Sequence, residues 1–255
     1  MNQSLRGKKG LVVGITNADS IAWGCARAFH RAGAELAVTW LNDKAQPHVE
    51  PLAEQVLASI RMPLDVTQPG ELKDVFDTIG RQWGGLDFLL HAIAFAPAAD
   101  LNGRVADSSA EGFAQAMDVS CHSFVRMAHL AEPLMRRGGS LMTISYLGAD
   151  EAVPGYGLMG PVKAARESSV RYLATELGPK GIRVSAVSPG PMATRAASGI
   201  SAMGDLIADA QGRSPMRRLA NAEDVGALCA FLASDSARAI TGDTLYVDSG
   251  FHILN

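Results

Sequence analysis

The sequence has few aromatic residues, few cysteines and little excess charge of either sign. Of its 255 residues, 6% are aromatic and 19% are charged, and the formal net charge is −3. A nucleic-acid partner needs clustered lysine and arginine. The pairs Arg136–Arg137 and Arg217–Arg218 are too short to supply such a cluster and are typical of a solvated surface. A nucleic-acid partner is therefore not expected.

Metal-ligating residues are also scarce. Cys25, Cys121 and Cys229 are odd in number and lie far apart, and the histidines, including His91 and His122, form no ligand cluster. We therefore expect no metal site. Three buried free thiols suit a reducing compartment. The chain shows neither a secretory signal nor an apolar run of about 20 residues, so we predict a cytoplasmic protein without a membrane segment.

The chain does have 47% hydrophobic residues, 26 glycines and a regular alternation of short β-rich runs with longer amphipathic runs. Strands that alternate with helices predict a parallel sheet covered on both faces. The expected fold class is α/β, a Rossmann-type doubly wound parallel sheet in a single domain spanning 1–255. The predicted strands are 10–15, 35–40, 60–66, 86–96, 140–146, 182–187 and 244–247, and the predicted helices are 20–31, 48–57, 71–83, 109–137, 156–177 and 221–234.

One segment, 188–214, is rich in Gly, Pro, Ala and Met and has weak periodicity. It is long for a connecting loop, and long loops inside compact domains are often functional. We therefore predict that it is a substrate-binding lid.

The first strand-to-helix turn is a candidate nucleotide site, because open α/β sheets bind ligands at the carboxyl ends of their strands. Gly14 allows a sharp turn, and Ser20 is expected to cap the next helix, whose N-terminal amides favour a pyrophosphate. Gly24 is expected to allow close helix-to-strand packing. The generic G-x-G-x-x-G fingerprint is absent, so an ordinary strand–turn–helix remains the alternative.

Two further strand ends bear on the cofactor. Asp65, followed by Val66, is placed either to accept a hydrogen bond from an adenine amino group or to cap the next turn. The second strand ends at Thr39–Trp40–Leu41, with no acidic residue for a ribose diol and no arginine for a 2′-phosphate. The missing arginine slightly favours NADH over NADPH.

Tyr156 and Lys163 form the candidate chemical centre. They are seven residues apart, almost two turns of a helix, so a helix would place both side chains on one face. A nearby ammonium favours a phenolate and strengthens the phenol as a proton donor, which suits hydride transfer beside a carbonyl that gains negative charge. The alternative is an aromatic helix start with a solvent-facing lysine. Tyr146 is a second phenol at the same edge of the predicted sheet, where it either takes part in the chemistry or packs against neighbouring side chains.

The sixth strand runs into the segment 189–194, which begins with Pro189, Gly190 and Pro191. Its backbone is placed to lie along a nicotinamide and donate to the carboxamide, or it is simply a rigid turn. Met159 and Met203 either line an apolar pocket or pack in the core.

Together these motifs resemble the enoyl-acyl-carrier-protein reductases of bacterial fatty-acid synthesis, which are divergent members of the short-chain dehydrogenase/reductase superfamily. Ordinary members have Tyr-x3-Lys, whereas Gly160 occupies that position here. The resemblance extends from Leu5 to about Phe251. It is carried by Gly14-x5-Ser20-Ile21-Ala22-x-Gly24, Tyr146-x9-Tyr156-x6-Lys163 and Ser188-Pro189-Gly190-Pro191.

The resemblance implies that NADH, or alternatively NADPH, delivers hydride to the β-carbon of a trans-2-enoyl thioester on acyl carrier protein or coenzyme A. It implies that Tyr156 stabilises the enolate oxygen, that Lys163 holds the nicotinamide ribose and that Tyr146 lies near the substrate. It also implies a homotetramer. The implied cofactor-binding residues are Gly14, Ser20, Ile21, Trp40, Asp65, Val66, Ala92, Ile93, Lys163, Pro189, Gly190, Pro191 and Thr194. The implied substrate-binding residues are Ala94, Phe95, Ala96, Tyr146, Tyr156, Met159, Ala196, Ala197, Ile200 and Met203.

Three features depart from the family pattern. Ala92 and Ala94 stand where the family commonly has serine and glycine. Gly157 and Pro161 make the start of the catalytic helix unusual, although proline is tolerated in a first turn. The lid segment 201–205 lacks the basic residues with which many members could meet an acidic carrier protein.

Two other functions compete with this interpretation. One is a carbonyl reductase or alcohol dehydrogenase of the same superfamily, which the Tyr-x6-Lys spacing disfavours. The other is a non-catalytic nucleotide-binding protein, which the presence of both Tyr156 and Lys163 disfavours.

Overall fold

The computed structural model describes residues 3–195 and 197–254. Within them, all strands are parallel and form one sheet in the order β3–β2–β1–β4–β5–β6–β7. The strand order reverses between β1 and β4, so the predicted doubly wound α/β fold is confirmed. The strands are β1 Lys9–Val13, β2 Glu35–Trp40, β3 Ile60–Pro63, β4 Phe88–His91, β5 Gly139–Ile144, β6 Ile182–Pro189 and β7 Thr244–Val247.

Helices connect these strands and cover both faces of the sheet. The α-helices are α1 Ile21–Arg31, α2 Gln46–Gln55, α3 Glu71–Trp83, α4 Ala98–Leu101, α5 Ala110–Met117, α6 Ser123–Ala131, α7 Met159–Leu177, α8 Met203–Arg213 and α9 Ala222–Ala233. A π-helical segment, Asp118–His122, joins α5 to α6. Short 3₁₀ turns are Val105–Asp107, Glu132–Leu134, Leu147–Ala149, Gly178–Lys180, Ala197–Gly199, Asp235–Ala237 and Phe251–Ile253. Among the described residues, no helix combines the length and apolar character needed to cross a membrane.

The apolar core has two main layers, one on each face of the sheet. Side chains of α1, α2 and α9 pack on one face, and side chains of α3, α6 and α7 pack on the other. The central strand β4 is buried along its whole length, as its continuous apolar sequence predicts. A smaller apolar cluster around Tyr146, Tyr156 and Met159 lies outside these layers. Gly24 contacts α9 rather than a strand: a Cβ there would lie 2.3 Å from the Ala222 carbonyl oxygen, so the predicted helix-to-strand contact is wrong.

Strand β4 is shorter than the predicted 86–96. It pairs with β1 and with β5 as far as His91, and β1 ends at Val13 because Gly14 turns the chain with φ +107°. The Ala92 amide donates once more to the Val13 carbonyl, and the chain then leaves the sheet as a loop, 92–97. The Phe95 amide donates to Ser120 Oγ at 2.8 Å, which fixes this loop to the π-helical segment.

The stretch predicted as one helix, 109–137, is interrupted. A π turn contains an extra residue that periodicity of 3.6 does not reveal, and such turns are frequent at functional sites. Here the extra residue brings Ser120 against the 92–97 loop, where its hydroxyl also donates to the Phe95 carbonyl at 2.8 Å.

Helix α7 begins at Met159, three residues later than predicted. Gly155 and Gly157 have φ +77° and +56°, values that take the backbone out of the α-helical region. Pro161 therefore lies in the first turn of α7, where a missing amide hydrogen costs no helix bond. In the segment 188–214, the second half is helical (α8), which its weak periodicity did not predict.

Candidate active site

A cleft of about 680 Å³ lies at the carboxyl ends of the strands. Every site residue predicted from the sequence lines it except Ala196, which lies outside the described residues. The structure thus brings together residues from six strand ends, α7 and the 188–214 segment, while their individual roles stay predictions. The predicted residues lining the cleft are Gly14, Ser20, Ile21, Trp40, Asp65, Val66, Ala92, Ile93, Ala94, Phe95, Ala96, Tyr146, Tyr156, Met159, Lys163, Pro189, Gly190, Pro191, Thr194, Ala197, Ile200 and Met203.

The turn at Gly14 is built by direct backbone contact between two strand ends. A Cβ on Gly14 would lie 2.3 Å from the Ala92 carbonyl oxygen, closer than real Cβ contacts come. The Ala92 amide also donates to the Val13 carbonyl at 2.9 Å. Because the φ of Gly14 is +107° as well, this position needs glycine for both conformation and space.

The start of α1 differs from the predicted cap. Ser20 occupies the N-cap position, but its hydroxyl donates to the Asn17 carbonyl at 2.7 Å and accepts nothing from the helix. The predicted side-chain cap is therefore wrong, since the hydroxyl is used to close the 17–20 turn. The first amides of α1 consequently have no side-chain acceptor in the described structure, and Ile21 and Ala22 line the cleft, an arrangement that favours an anion.

Asp65 closes the turn after β3. Its Oδ1 accepts hydrogen bonds from the Thr67 amide at 2.9 Å and the Thr67 hydroxyl at 2.7 Å, and its own amide donates to Glu71. Of the two predicted roles, the turn cap is the one that the structure shows. Trp40 is 6% exposed at the end of β2, and Leu41 beside it is 53% exposed with no basic side chain in the lining of this end.

The first three residues of the predicted donor segment 189–194 have no amide hydrogen available for a ligand. The two prolines have no amide hydrogen, and the Gly190 amide donates to the Val247 carbonyl at 3.0 Å. Donation from the 189–194 backbone to a ligand therefore stays a prediction for the residues after Pro191, and Pro189, Gly190 and Pro191 line the cleft. The first amide after the turn without a partner among the described residues is that of Met192.

Two phenols meet at the other end of the cleft. The rings of Tyr146 and Tyr156 have centroids 4.6 Å apart and an interplanar angle of 50°. Burial raises the pKa of Tyr146 to about 12, with a smaller contribution from Asp209. Burial also raises the pKa of Tyr156, and the positive charge of Arg166 partly opposes that rise. Both tyrosines are therefore neutral proton donors at physiological pH.

Lys163 lies in the first half of α7 with a buried ammonium. Its Nζ donates to the Ile144 carbonyl at 2.7 Å, where β5 ends. Burial, followed by the charge of Arg166, holds the pKa of Lys163 well below its usual value. Tyr156 precedes α7, so the predicted shared helix face is wrong; the glycine turn before the helix still leaves both side chains lining one cleft.

The main group that sequence reasoning missed is Arg166, together with the polar residues around it. Arg166 Nη1 donates to the Ile144 carbonyl at 2.7 Å and to Thr143 Oγ1 at 3.2 Å, and Nη2 donates to the Ile93 carbonyl at 3.2 Å. No sequence signal separates this arginine from those on solvated helix faces. Residues from outside the strand ends, such as Gln115, were missed for a similar reason.

His91 was expected to be structural, and it lies in the same buried layer. Its Nδ1 is 3.0 Å from Thr143 Oγ1 and its Nε2 is 2.8 Å from Ser123 Oγ. Burial, followed by the charges of Arg166 and Lys163, holds the pKa of His91 well below its usual value. His91 is therefore neutral, and within 3–195 and 197–254 no group of His, Cys, Asp and Glu side chains is arranged to hold a metal ion.

Comparison with known proteins gives a consistent result. The family model described as enoyl-(acyl carrier protein) reductase matches residues 14–252. The chain is 46% identical to an enoyl-[acyl-carrier-protein] reductase [NADH] of Nostoc sp., covering 98% of each chain.

Solved structures agree with this match. A reductase of Anaplasma phagocytophilum in complex with NAD has a TM-score of 0.96 at 42% identity, covering 100% of this chain and 97% of that one. A reductase of Bacillus cereus with NADP⁺ and an indole naphthyridinone has a TM-score of 0.96 at 41% identity, covering 98% of each chain. The geometry of the cleft and these matches together show that the chain belongs to the enoyl-(acyl carrier protein) reductase family.

Proposed function

We propose that this protein reduces the 2,3 double bond of trans-2-enoyl thioesters with NADH, in fatty-acid synthesis. The observation that carries the proposal is the meeting of the Tyr156 phenol and the Lys163 ammonium in one cleft, opposite the Gly14 turn and the uncapped start of α1. The relatives named above support NADH as the reductant and an acyl-carrier-protein thioester as the substrate.

The residues present fit a nicotinamide dinucleotide. The first amides of α1 lack a side-chain acceptor and suit the pyrophosphate, and Gly14 lines the cleft beside them without a side chain. Lys163 Nζ donates one hydrogen to Ile144 and keeps at least one more for a ribose hydroxyl. The uncharged end of β2 offers nothing to a 2′-phosphate, which favours NADH.

When bound, NADH supplies the hydride that the β-carbon of the substrate receives. Negative charge then develops on the thioester oxygen, and Tyr156 donates a hydrogen bond to that oxygen. Because burial raises the pKa of Tyr156, the phenol keeps its proton at physiological pH and remains a donor. Tyr146, packed on the Tyr156 ring, limits the positions that this phenol can take.

The segment 188–214 serves in this proposal as the substrate-binding lid of a single domain. Ala197, Ile200 and Met203 line the cleft from this segment. The Asn102 side chain donates to the Gly199 carbonyl at 2.9 Å and accepts from the Ser201 amide at 3.0 Å, which connects the segment to the loop after α4.

Further details follow from the family resemblance. We propose a cytoplasmic homotetramer, consistent with three buried thiols and with large apolar side chains such as Tyr172, 69% exposed on α7. Multi-angle light scattering measures the assembly. A coenzyme A thioester is proposed as an alternative carrier of the same acyl group.

The proposal is tested by the loss of NADH absorbance with a medium-chain enoyl carrier-protein thioester and with crotonyl-coenzyme A. We expect oxidation that depends on the enoyl substrate, with NADH preferred to NADPH. Oxidation with simple ketones but with no enoyl thioester would instead establish a carbonyl reductase. NADH binding without turnover of any substrate would establish a non-catalytic nucleotide-binding protein.

A further inference from the structure

Arg166 is a fully buried cation directly behind the reaction end of the cleft. It lies on α7, three residues after Lys163, and its exposed fraction is 0%. It is absent from the cleft lining and makes no ion pair with a carboxylate of the described chain. A buried charge without a counter-ion is costly, so its presence calls for a physical reason.

The contacts of Arg166 join two strand ends. Its guanidinium bonds to the Ile144 carbonyl at the end of β5 and to the Ile93 carbonyl just beyond β4. Both isoleucines line the cleft, whereas the guanidinium does not. The Ile144 carbonyl also accepts from Lys163 at 2.7 Å, so one oxygen fixes both cations.

The hydrogen bonds behind Arg166 have only one consistent direction. Ser123 Oγ donates to the Val119 carbonyl at 2.7 Å, so His91 Nε2 must donate to Ser123. His91 Nδ1 then accepts the Thr143 hydroxyl hydrogen, and Thr143 Oγ1 accepts from Arg166. His91 is thus a neutral link, and Arg166 is the charged member of this layer.

The charge of Arg166 reaches both reactive groups. It is the cation that opposes the rise of the Tyr156 pKa, and after burial it is the main cause that lowers the Lys163 pKa. Burial lowers the pKa of Arg166 itself to about 10, so the guanidinium stays positive at physiological pH. Its Nε has no partner and is buried.

We propose that Arg166 is a positioning residue for the reduction, holding the β4 and β5 ends in register and placing a fixed positive charge behind the Tyr156 phenol. This inference rests on the proposed function. Arg166 is fully buried, so water screens its charge little, and this charge stabilises the negative charge that develops on the oxygen that Tyr156 contacts. The titratable groups around it are His91 on β4, Cys121 on the π segment, Tyr156 at the cleft, and Lys163 and Glu167 on α7.

The test separates the charge from the hydrogen bonds. Arg166→Gln keeps amide hydrogen-bond donors and removes the positive charge. Arg166→Lys keeps the charge and removes the planar guanidinium that bonds to both strand ends. Arg171→Gln, on the exposed face of the same helix, is the matched control. Each variant is checked for folding by circular dichroism and thermal melting. Turnover and KM for NADH are measured with the enoyl thioester, and Kd for NADH is measured by fluorescence from pH 6 to 10.

We expect Arg166→Gln to lower kcat about 10- to 100-fold, with KM for NADH changed less than about threefold at pH 7. Its NADH binding should persist to higher pH than in the wild type, because the pKa of Lys163 rises when the neighbouring cation is removed. Arg166→Lys should recover at least half of the wild-type kcat. Its alkaline limit, the pH above which NADH binding is lost, should equal that of the wild type. Arg171→Gln should match the wild type in both quantities.

Three outcomes overturn the inference. One is a folded Arg166→Gln with the kcat and alkaline limit of Arg171→Gln. Another is an Arg166→Lys variant that loses as much kcat as Arg166→Gln while NADH binding keeps the same pH dependence in both. If Arg166→Gln does not fold, the third is a folded Arg166→Lys variant that keeps the wild-type pH dependence of NADH binding, and so the charge, but loses kcat at least about tenfold. Absence of enoyl turnover in the wild type refutes the proposed function instead, and the pH dependence of NADH binding still tests the charge of Arg166.

Discussion

The two ends of the cleft are formed by different chemical groups. Around Gly14 and the start of α1, the structure offers backbone amides, a close backbone contact and no buried charged side chain among the described lining residues. Behind Tyr156, it buries Lys163 and Arg166. The difference matches two tasks. A permanently charged diphosphate is held by fixed backbone dipoles, whereas an oxygen that becomes charged during a reaction needs cations already in place.

The largest effect that this comparison predicts is at the reaction end. Tyr156→Phe should lower kcat about 100- to 1000-fold, because the ring stays packed on Tyr146 while the hydrogen-bond donor is lost. Kd for NADH should change less than about threefold, since the nucleotide end is untouched. Steady-state kinetics and fluorescence titration measure the two quantities. A Tyr156→Phe variant with normal kcat would remove Tyr156 from the chemistry.

At the nucleotide end, Gly14→Ala should raise Kd for NADH at least about tenfold and destabilise the fold by about 2–4 kcal/mol. The new Cβ would lie 2.3 Å from the Ala92 carbonyl oxygen, so the two strand ends must separate. Gly84→Ala is the matched control, because Gly84 also has a positive φ, +71°, but no atom within 4 Å of an added Cβ. Equal losses in both variants would show that backbone strain alone, and not the contact with Ala92, decides the site.

A gain of function should also be possible at this end. Leu41→Arg places a guanidinium at the exposed end of β2, where no basic side chain lines the cleft. We expect kcat/KM with NADPH to rise about tenfold relative to NADH, through charge-assisted bonds to the 2′-phosphate. The ratio of kcat/KM for the two cofactors measures this shift. An unchanged ratio would mean that the adenosine ribose lies away from β2.

The smallest effect concerns stability rather than activity. The folded-state pKa of His91 is depressed, so the unfolded chain takes up a proton below about pH 6.5 while the folded chain does not. Stability should therefore fall with pH below that value, by up to about 1.4 kcal/mol per pH unit. Urea unfolding between pH 5 and 8 measures the slope. His91→Gln should flatten it, whereas His129→Gln, at an exposed site, should leave it unchanged.

The elements that the sequence predicted well are those with clear boundaries. Helix α3 was predicted at 71–83 and is observed there, because Gly70 and Gly84 both adopt positive φ at its ends. Helix α9 was predicted at 221–234 and is observed at Ala222–Ala233, because Asn221 accepts from the Asp224 amide while the Asp224 side chain accepts from the Asn221 amide. Local chemistry decides such positions, and a single sequence contains it.

The errors arise where distant parts of the chain decide the structure. The π segment contacts the 92–97 loop, and the sequence periodicity of neither segment reveals this contact. Whether Ser20 caps its helix depends on its competing bond to Asn17. Arg166 was missed because only the folded chain shows that this arginine, unlike Arg171 on the same helix, is buried. The predicted residues still gather in one cleft, since the parallel direction of the strands places their carboxyl ends at one edge of the sheet.

The open start of α1 has a consequence for the lifetime of the protein. Because the first amides of α1 have no side-chain acceptor, a ligand bound at that helix end can accept their hydrogen bonds. A dinucleotide that binds only the folded chain then adds stability by mass action, about 2.7 kcal/mol at a free concentration one hundred times its Kd. Nicotinamide dinucleotides in the cell are therefore expected to stabilise the folded protein. Protein purified without them should unfold at a lower temperature and be cleaved faster by proteases.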